Sequence, residues 1–240
     1  MYKIGELSKI VNVKAGTIRF YEKCGFLETV DRLPNRYRIY NEHHIYQIRI
    51  CRLVFGGFVS KSLRKTSLKI LEASRAWDLV AYENRVLEYL QEIREDIKRT
   101  EKVITFAVDT GRLHEESDIL YTKKQAAKLV GTTEEAIRNW ERNGLIPQSQ
   151  PYQKRYYSQA TLNRMYLIRL LLNTGYSLMA ILQFLQKMDS GEHTHAKALL
   201  TKPEESEDLQ TRADYYLQAL LELQEKANTL YGLLDEMRKI

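Results

Sequence analysis

The stretch Thr17-Ile18-Arg19-Phe20-Tyr21-Glu22-Lys23-Cys24-Gly25-Phe26-Leu27 returns later in the chain as Ala136-Ile137-Arg138-Asn139-Trp140-Glu141-Arg142-Asn143-Gly144-Leu145-Ile146, at an offset of 119 residues. The offset holds without a gap back to Tyr2 and Tyr121, through Lys9 with Lys128 and Val11 with Val130. Two amphipathic helices that look alike by chance share apolar spacing alone. Here polar positions repeat too, so the chain reads as two related modules, and its 240 residues leave room for a core in each.

Charge follows the repeat. Residues 1–70 carry +9 and residues 119–188 carry +7, whereas 71–118 and 189–240 carry −5 each. Two basic modules suited to a polyanion therefore alternate with two acidic segments that such a partner would repel. Basic surfaces that only aid solubility would not track a repeat. Two cysteines, Cys24 and Cys51, make no disulfide framework and point to a reducing compartment. No apolar run is long enough to span a bilayer, and a soluble, cytoplasmic protein is expected.

In the first module Ile4, Leu7, Ile10 and Val11 fall at helical spacing. A turn at Asn12-Val13 leads to a second helix, Lys14 to Cys24, stopped by Gly25. Its Ile18, Tyr21 and Glu22 share one face, with Arg19, Phe20 and Lys23 turned away. This is a helix-turn-helix, whose second helix can enter a DNA major groove. Asp31 to Tyr40 then reads as a basic, aromatic wing turning at Pro34-Asn35, with Arg36 and Arg38 on one face of a strand and Tyr37 adding a hydroxyl. A further helix runs from Glu42 through Ile45, Ile48, Cys51 and Leu53 to Gly56-Gly57.

Ile4-Gly5-Glu6-Leu7, Thr17-Ile18-Arg19-Phe20-Tyr21-Glu22, Gly25-Phe26-Leu27, Tyr37-Arg38-Ile39-Tyr40 and Gly57-Phe58 together resemble the successive signatures of the MerR family of bacterial transcription regulators. The resemblance covers residues 1 to about 60. It implies a winged helix-turn-helix followed by a dimerisation helix, with promoter DNA and RNA polymerase as partners. Phe20 stands where the family usually has tyrosine, which removes a hydroxyl that could reach a phosphate.

Beyond the first module, Leu79, Val86, Ile93 and Thr100 form one seven-residue series and Glu83, Leu90, Ile97 and Ile104 another, the seam of a coiled coil. Glu88-Tyr89, Gln91-Glu92 and Arg94-Glu95-Asp96 are expected on its outside. A connector through His114-Glu115-Glu116-Ser117-Asp118 leads to the second module. There Thr122 caps a helix, Gly131-Thr132 turns, and Thr133 to Asn143 is the second helix. A polar loop, Pro147 to Gln153, precedes Lys154-Arg155-Tyr156-Tyr157-Ser158, the counterpart of the wing end with a loop two residues shorter. Leu162, Met165, Ile168 and Leu172 continue as a helix to Gly175-Tyr176. The family likeness is weaker here. Glu134 and Glu135 replace Ala15 and Gly16, and carboxylates at the start of a reading helix disfavour phosphate unless one accepts from a cytosine amino group. The two modules are expected to read DNA unequally.

The last helix has the most regular seam: Leu209, Ala213, Tyr216, Leu220, Leu223, Ala227, Leu230, Leu234 and Met237. In the resembled family two chains pair such helices antiparallel; here one chain carries both. The fold expected is mainly α. Tandem winged helix-turn-helix domains at 1–70 and 119–188 are each followed by a long coiled-coil helix, at 71–108 and 207–240, with a connector at 109–118 and a linker at 189–206. The helices would pair as an intramolecular pseudo-dimer; the competing arrangement is a homodimer through the last helix.

No phosphate-cradling loop, dinucleotide fingerprint or metal-spaced cysteine pair is present, so neither an enzyme nor a cofactor is expected. His193 and His195 read as solvated linker residues, and Cys24 and Cys51 as packing residues. The sequence names no small-molecule effector. The expected function is a MerR-type regulator that binds double-stranded DNA at a promoter. Its expected contacts are Lys14, Thr17, Arg19, Phe20, Lys23, Arg36, Tyr37 and Arg38, with Arg138, Asn139, Arg142, Lys154, Arg155 and Tyr156 in the second module. The alternatives are an architectural or recombination-accessory DNA bender, and a coiled-coil interaction protein with a degenerate second module.

Overall fold

The computed structural model describes residues 1–57, 60–104, 119–147, 156–190 and 209–240. They fall into two compact units, Met1–Arg94 with Leu221–Ile240, and Glu95–Leu220. Among the described residues no helix is long and apolar enough to cross a membrane.

In the first unit α1 (Ile4–Val11) and α2 (Ala15–Lys23) make the helix-turn-helix. Asn12, at φ 49°, supplies the left-handed residue that ends α1, a conformation asparagine tolerates better than most. Leu7, Val11, Ile18 and Tyr21 are buried, whereas Ile10, expected on the apolar face, is 44% exposed. Gly25, at φ 72°, closes α2: its N–H reaches the Glu22 carbonyl and the next N–H reaches Tyr21. The wing is a short antiparallel pair, β1 (Asp31–Arg32) with β2 (Arg38–Ile39), and Tyr40 then bridges back to Tyr2.

Two more helices follow, α3 (Glu42–Phe55) and α4 (Lys61–Arg75). The residue pattern does not set α4 apart from the long helix after it. The chain breaks at Trp77, φ 52°, and restarts where the Asp78 carboxylate accepts the Ala81 N–H at 2.9 Å. The long helix α5 (Leu79–Val103) contributes residues 79–94 to this unit, and the C-terminal helix α10 (Leu209–Met237) contributes its end from Leu221 onward. Leu223, Ala227, Leu230, Leu234 and Met237 of the expected seam are all buried.

The α5 seam is wider than expected. Val86, Leu90 and Ile93 are buried, but so are Tyr82 and Tyr89. The two heptad series place Tyr89 on the polar outside. Positions 82, 89, 96 and 103 form a third seven-residue series, which makes the apolar stripe broad enough to face more than one element. The Tyr82 hydroxyl donates to the Leu230 carbonyl at 2.8 Å, while Thr66 and Lys69 of α4 bond Glu92 and Glu88 on another side of α5.

The second unit repeats this plan. The strand β3 (Leu120–Thr122) leads into α6 (Lys123–Val130) and α7 (Glu134–Arg142), then β4 (Tyr156–Ser158), α8 (Gln159–Asn173) and α9 (Leu178–Asp189). Thr122 and Thr133 cap α6 and α7 through their side-chain oxygens. Strand β4 pairs with β3, Tyr121 opposite Tyr157, as Tyr2 lies opposite Tyr40 in the first unit. Gly131 takes the left-handed place of Asn12, and Gly144, φ 72°, that of Gly25. Arginine equivalents match as well. Arg52 donates to the Val11 and Asn12 carbonyls at the end of α1, and Arg169 donates to Gly131 at the end of α6.

Residues 95–103 of α5 belong to this second unit, and Asp96, also assigned to the outside by sequence, is buried there. Its carboxylate accepts from Arg169 at 2.7 Å and Arg99 at 3.0 Å, and Arg99 donates in turn to the Leu129 carbonyl. A lone charge cannot be left dry at that depth. Two guanidiniums make burial possible, and they pin α5 to α6 and α8.

Candidate nucleic-acid interface

The exposed side of α2 is strongly basic. Lys14 is its N-cap residue, Arg19 and Lys23 point outward, and Phe20 is 58% exposed beside them. Thr17 is partly exposed on the same helix. No side chain caps the first turn of α2 and no acidic residue lies in it, so its free N–H groups and Lys14 face solvent together. Glu22 carries the carboxylate of the helix, and it is turned to the wing: Arg38 Nε donates to both of its oxygens, at 2.9 and 2.8 Å.

That pairing decides what the wing arginines do. Arg38 is held by Glu22, which sets the wing against the reading helix and keeps the guanidinium fully charged. Arg36 does not share a strand face with it. It sits in the turn at φ 65°, exposed, next to Tyr37, which is 68% exposed. Asn35 shapes the turn by accepting the Tyr37 N–H. Between helix and wing lies an open cleft of about 310 Å³ lined by Lys3, Ile4, Arg19, Asn35, Arg36, Tyr37 and Arg38. Lys3 escaped the sequence reading. The signal was available, because it precedes the first helix and so flanks that helix's N-terminal N–H groups.

The second module places the same parts differently. Glu141, the counterpart of Glu22, is buried, accepting from Lys123 at 2.9 Å and from the Tyr157 hydroxyl at 2.8 Å. Arg138 and Arg142 are exposed on α7, but Glu135 pairs with both, each at 3.2 Å. Asn139 is half-buried, and both its side-chain oxygen and its carbonyl accept from the Asn143 amide. Trp140 is 3% exposed and belongs to the core. Tyr156 is 47% exposed at the start of β4. Lys154, Arg155 and most of the loop from Pro147 to Gln153 lie outside the described residues, as do the 109–118 connector, Phe58, His193 and His195.

The cysteines part company. Cys51 is buried in α3, and burial raises its thiol to about 12; Cys24 is exposed and packs no core. Among the described residues no cluster of His, Cys, Asp and Glu could hold a metal ion.

Comparison with known proteins agrees with the repeat. The family description "MerR family regulatory protein" matches residues 3–40, and "MerR HTH family regulatory protein" matches residues 121–188. The mercuric resistance operon regulatory protein of Bacillus cereus is 36% identical over 106 residues, 43% of this chain and 80% of that relative. The chain belongs to the MerR family. A second relative, the HTH-type transcriptional regulator ZntR of Escherichia coli K12, is 36% identical over 66 residues, 27% of this chain. The chain spans about half the length of that relative, 47%. No solved structure gives a significant match.

Proposed function

We propose that this MerR-family chain is a transcription regulator that binds double-stranded promoter DNA through two non-identical winged helix-turn-helix modules, acting on RNA polymerase as the family resemblance implies. The observation that carries the reading is the cleft of the first module. Arg19 of the reading helix and Arg36 and Tyr37 of the wing line one open space, with Lys3 at its edge. Phosphate contacts from the wing would fix register while the outward face of α2 reads base edges. Lys14, Thr17, Arg19, Phe20 and Lys23 would serve the helix, and Arg36 and Tyr37 the wing. Arg38 would position the wing through Glu22. Arg138, Asn139, Arg142, Lys154, Arg155 and Tyr156 would make the second module's contacts.

The pairing of both long helices within one chain belongs to the same proposal. It is supported by the Tyr82 bond to Leu230, 148 residues apart, and by the Glu83 carboxylate accepting from Tyr231 and Arg238 of α10. A single cytoplasmic chain would then carry the two modules that a symmetric dimer obtains from two, and its operator need not be palindromic.

Selection of duplexes from random sequence, followed by footprinting, tests the function. A preferred site protected in low salt and released as salt rises is expected, because several phosphates are neutralised. Absence of any duplex binding in low salt contradicts it.

A further inference from the structure

The two reading helices differ in charge at their first turn, where Ala15 and Gly16 in α2 correspond to Glu134 and Glu135 in α7. We propose that Glu135 is the affinity-setting residue of the second module: it holds Arg138 and Arg142 in ion pairs and, together with Glu134, leaves the reading face electrically neutral. The proposal rests on the DNA-binding reading above and extends it to a division of labour between the modules.

The charges make the case. The outward side of α2 presents Lys14, Arg19 and Lys23, and its carboxylate, Glu22, is turned to Arg38. Among the described residues Arg19 has no ion pair. The outward side of α7 presents Arg138 and Arg142 against Glu134 and Glu135. One carboxylate serves both arginines, its two oxygens taking one each, Arg138 Nε at 3.2 Å and Arg142 Nη2 at 3.2 Å. The N-terminus of α7 is satisfied from within as well. Thr133 accepts the Ala136 N–H, and the two glutamates complement the helix dipole where α2 has an open first turn.

The strength of the pairs is not what matters. All three side chains are more than half exposed, and exposed pairs are readily broken. A phosphate could displace Glu135 from either arginine, but the carboxylate would stay within a Debye length of about 8–10 Å, cancelling positive charge and repelling the phosphate. Counterion release, which drives non-specific affinity, scales with the phosphates neutralised. A neutral face gains almost none of it.

The test is a salt titration of the full chain on a selected duplex, read by fluorescence anisotropy, with circular dichroism checking that each variant is folded. Glu135→Gln keeps the size and removes the charge. It is expected to steepen the slope of log affinity on log salt by about 1 to 2 and to tighten binding roughly tenfold at low salt. Glu134→Gln removes a charge that pairs with neither arginine and should give a smaller gain. Arg138→Ala with Arg142→Ala should loosen binding in the natural chain, because it leaves Glu134 and Glu135 uncompensated, and should cancel the gain in the Glu135→Gln background. The converse graft, Gly16→Glu, enters open space on α2 and should loosen binding roughly tenfold by bringing a carboxylate within reach of Arg19. A natural chain that binds DNA while Glu135→Gln leaves slope and affinity unchanged, or weakens binding, overturns the proposal alone. Equal gains from Glu134→Gln and Glu135→Gln overturn the role of the ion pairs. No binding by any variant in low salt removes the DNA-binding reading and this inference together.

Discussion

The Tyr82 hydroxyl donates to the Leu230 carbonyl at 2.8 Å, joining residues 148 positions apart inside one folded unit. Tyr82 is fully buried and burial pushes its hydroxyl pKa up, so this polar group is worth burying only with its partner in place. Tyr82→Phe keeps the ring and removes the bond; it should lower stability by about 1 kcal/mol. Tyr82→Ala removes the ring as well and should cost roughly 3–5 kcal/mol. Urea unfolding of both variants checks the ratio; no loss in Tyr82→Phe would show that the hydroxyl contributes nothing, and equal losses would show that the ring adds nothing beyond it.

Arg19→Ala should cost specific DNA affinity ~1 to 3 kcal/mol if Arg19 reads a base edge. Arg138→Ala should cost less, because Glu135 already offsets its charge. Binding of each variant to the selected operator, at one stated salt concentration, measures the difference. Equal losses would mean that the modules share the reading evenly.

Asp96 accepts from Arg169 and Arg99, with Asp96 2% and Arg169 10% exposed in their side chains. Asp96→Ala leaves Arg169 charged and nearly dry and should destabilise the second unit by roughly 3–5 kcal/mol. Asp96→Asn retains an acceptor and should cost less. Thermal unfolding of the two variants tests the order.

His44 is buried at the start of α3, where its Nδ1 lies 3.1 Å from the Asn41 N–H. Burial lowers its pKa below the usual 6.5, outweighing nearby Glu28. The unfolded chain therefore takes up a proton before the folded one does. The stability contributed by neutral His44 is present above about pH 6.5 and is lost as pH falls towards the lowered folded value. Glu28 acts lower. Burial alone would raise its pKa, but hydrogen bonds from Asn41 and His43 outweigh that and lower it, so its contribution is lost only below the ordinary carboxylate range near 4.5. Urea midpoints should fall between pH 7.5 and pH 5.5 in the natural chain and change less in His44→Gln, which keeps a side-chain acceptor for the capping box. Identical pH profiles would remove His44 from the account.

The repeat carried most of the fold into view, because identities such as Glu22 with Glu141 and Gly25 with Gly144 mark positions where both modules need the same cap or the same tie between helix and wing. The two helix-turn-helices, the first wing and the C-terminal seam were legible for that reason. Position 96 was not. A heptad reading assigns one polar face per helix, whereas α5 is covered on more than one side, so Tyr89 and Asp96 were placed outside although each is buried. The ion pairs of Arg38 and Glu135 were equally hidden. Residue types named the basic side chains, but only the folded backbone shows that Glu22 points at the wing and that Glu135 reaches two arginines on its own helix.

The central claim is that one chain presents two DNA-binding modules, and sedimentation of the chain with and without a selected operator tests it most directly. A free species of one chain's mass, 28.2 kDa, at low concentration and a complex of one chain per duplex are expected. A stable two-chain species, or a complex in which two chains share one duplex, would contradict it.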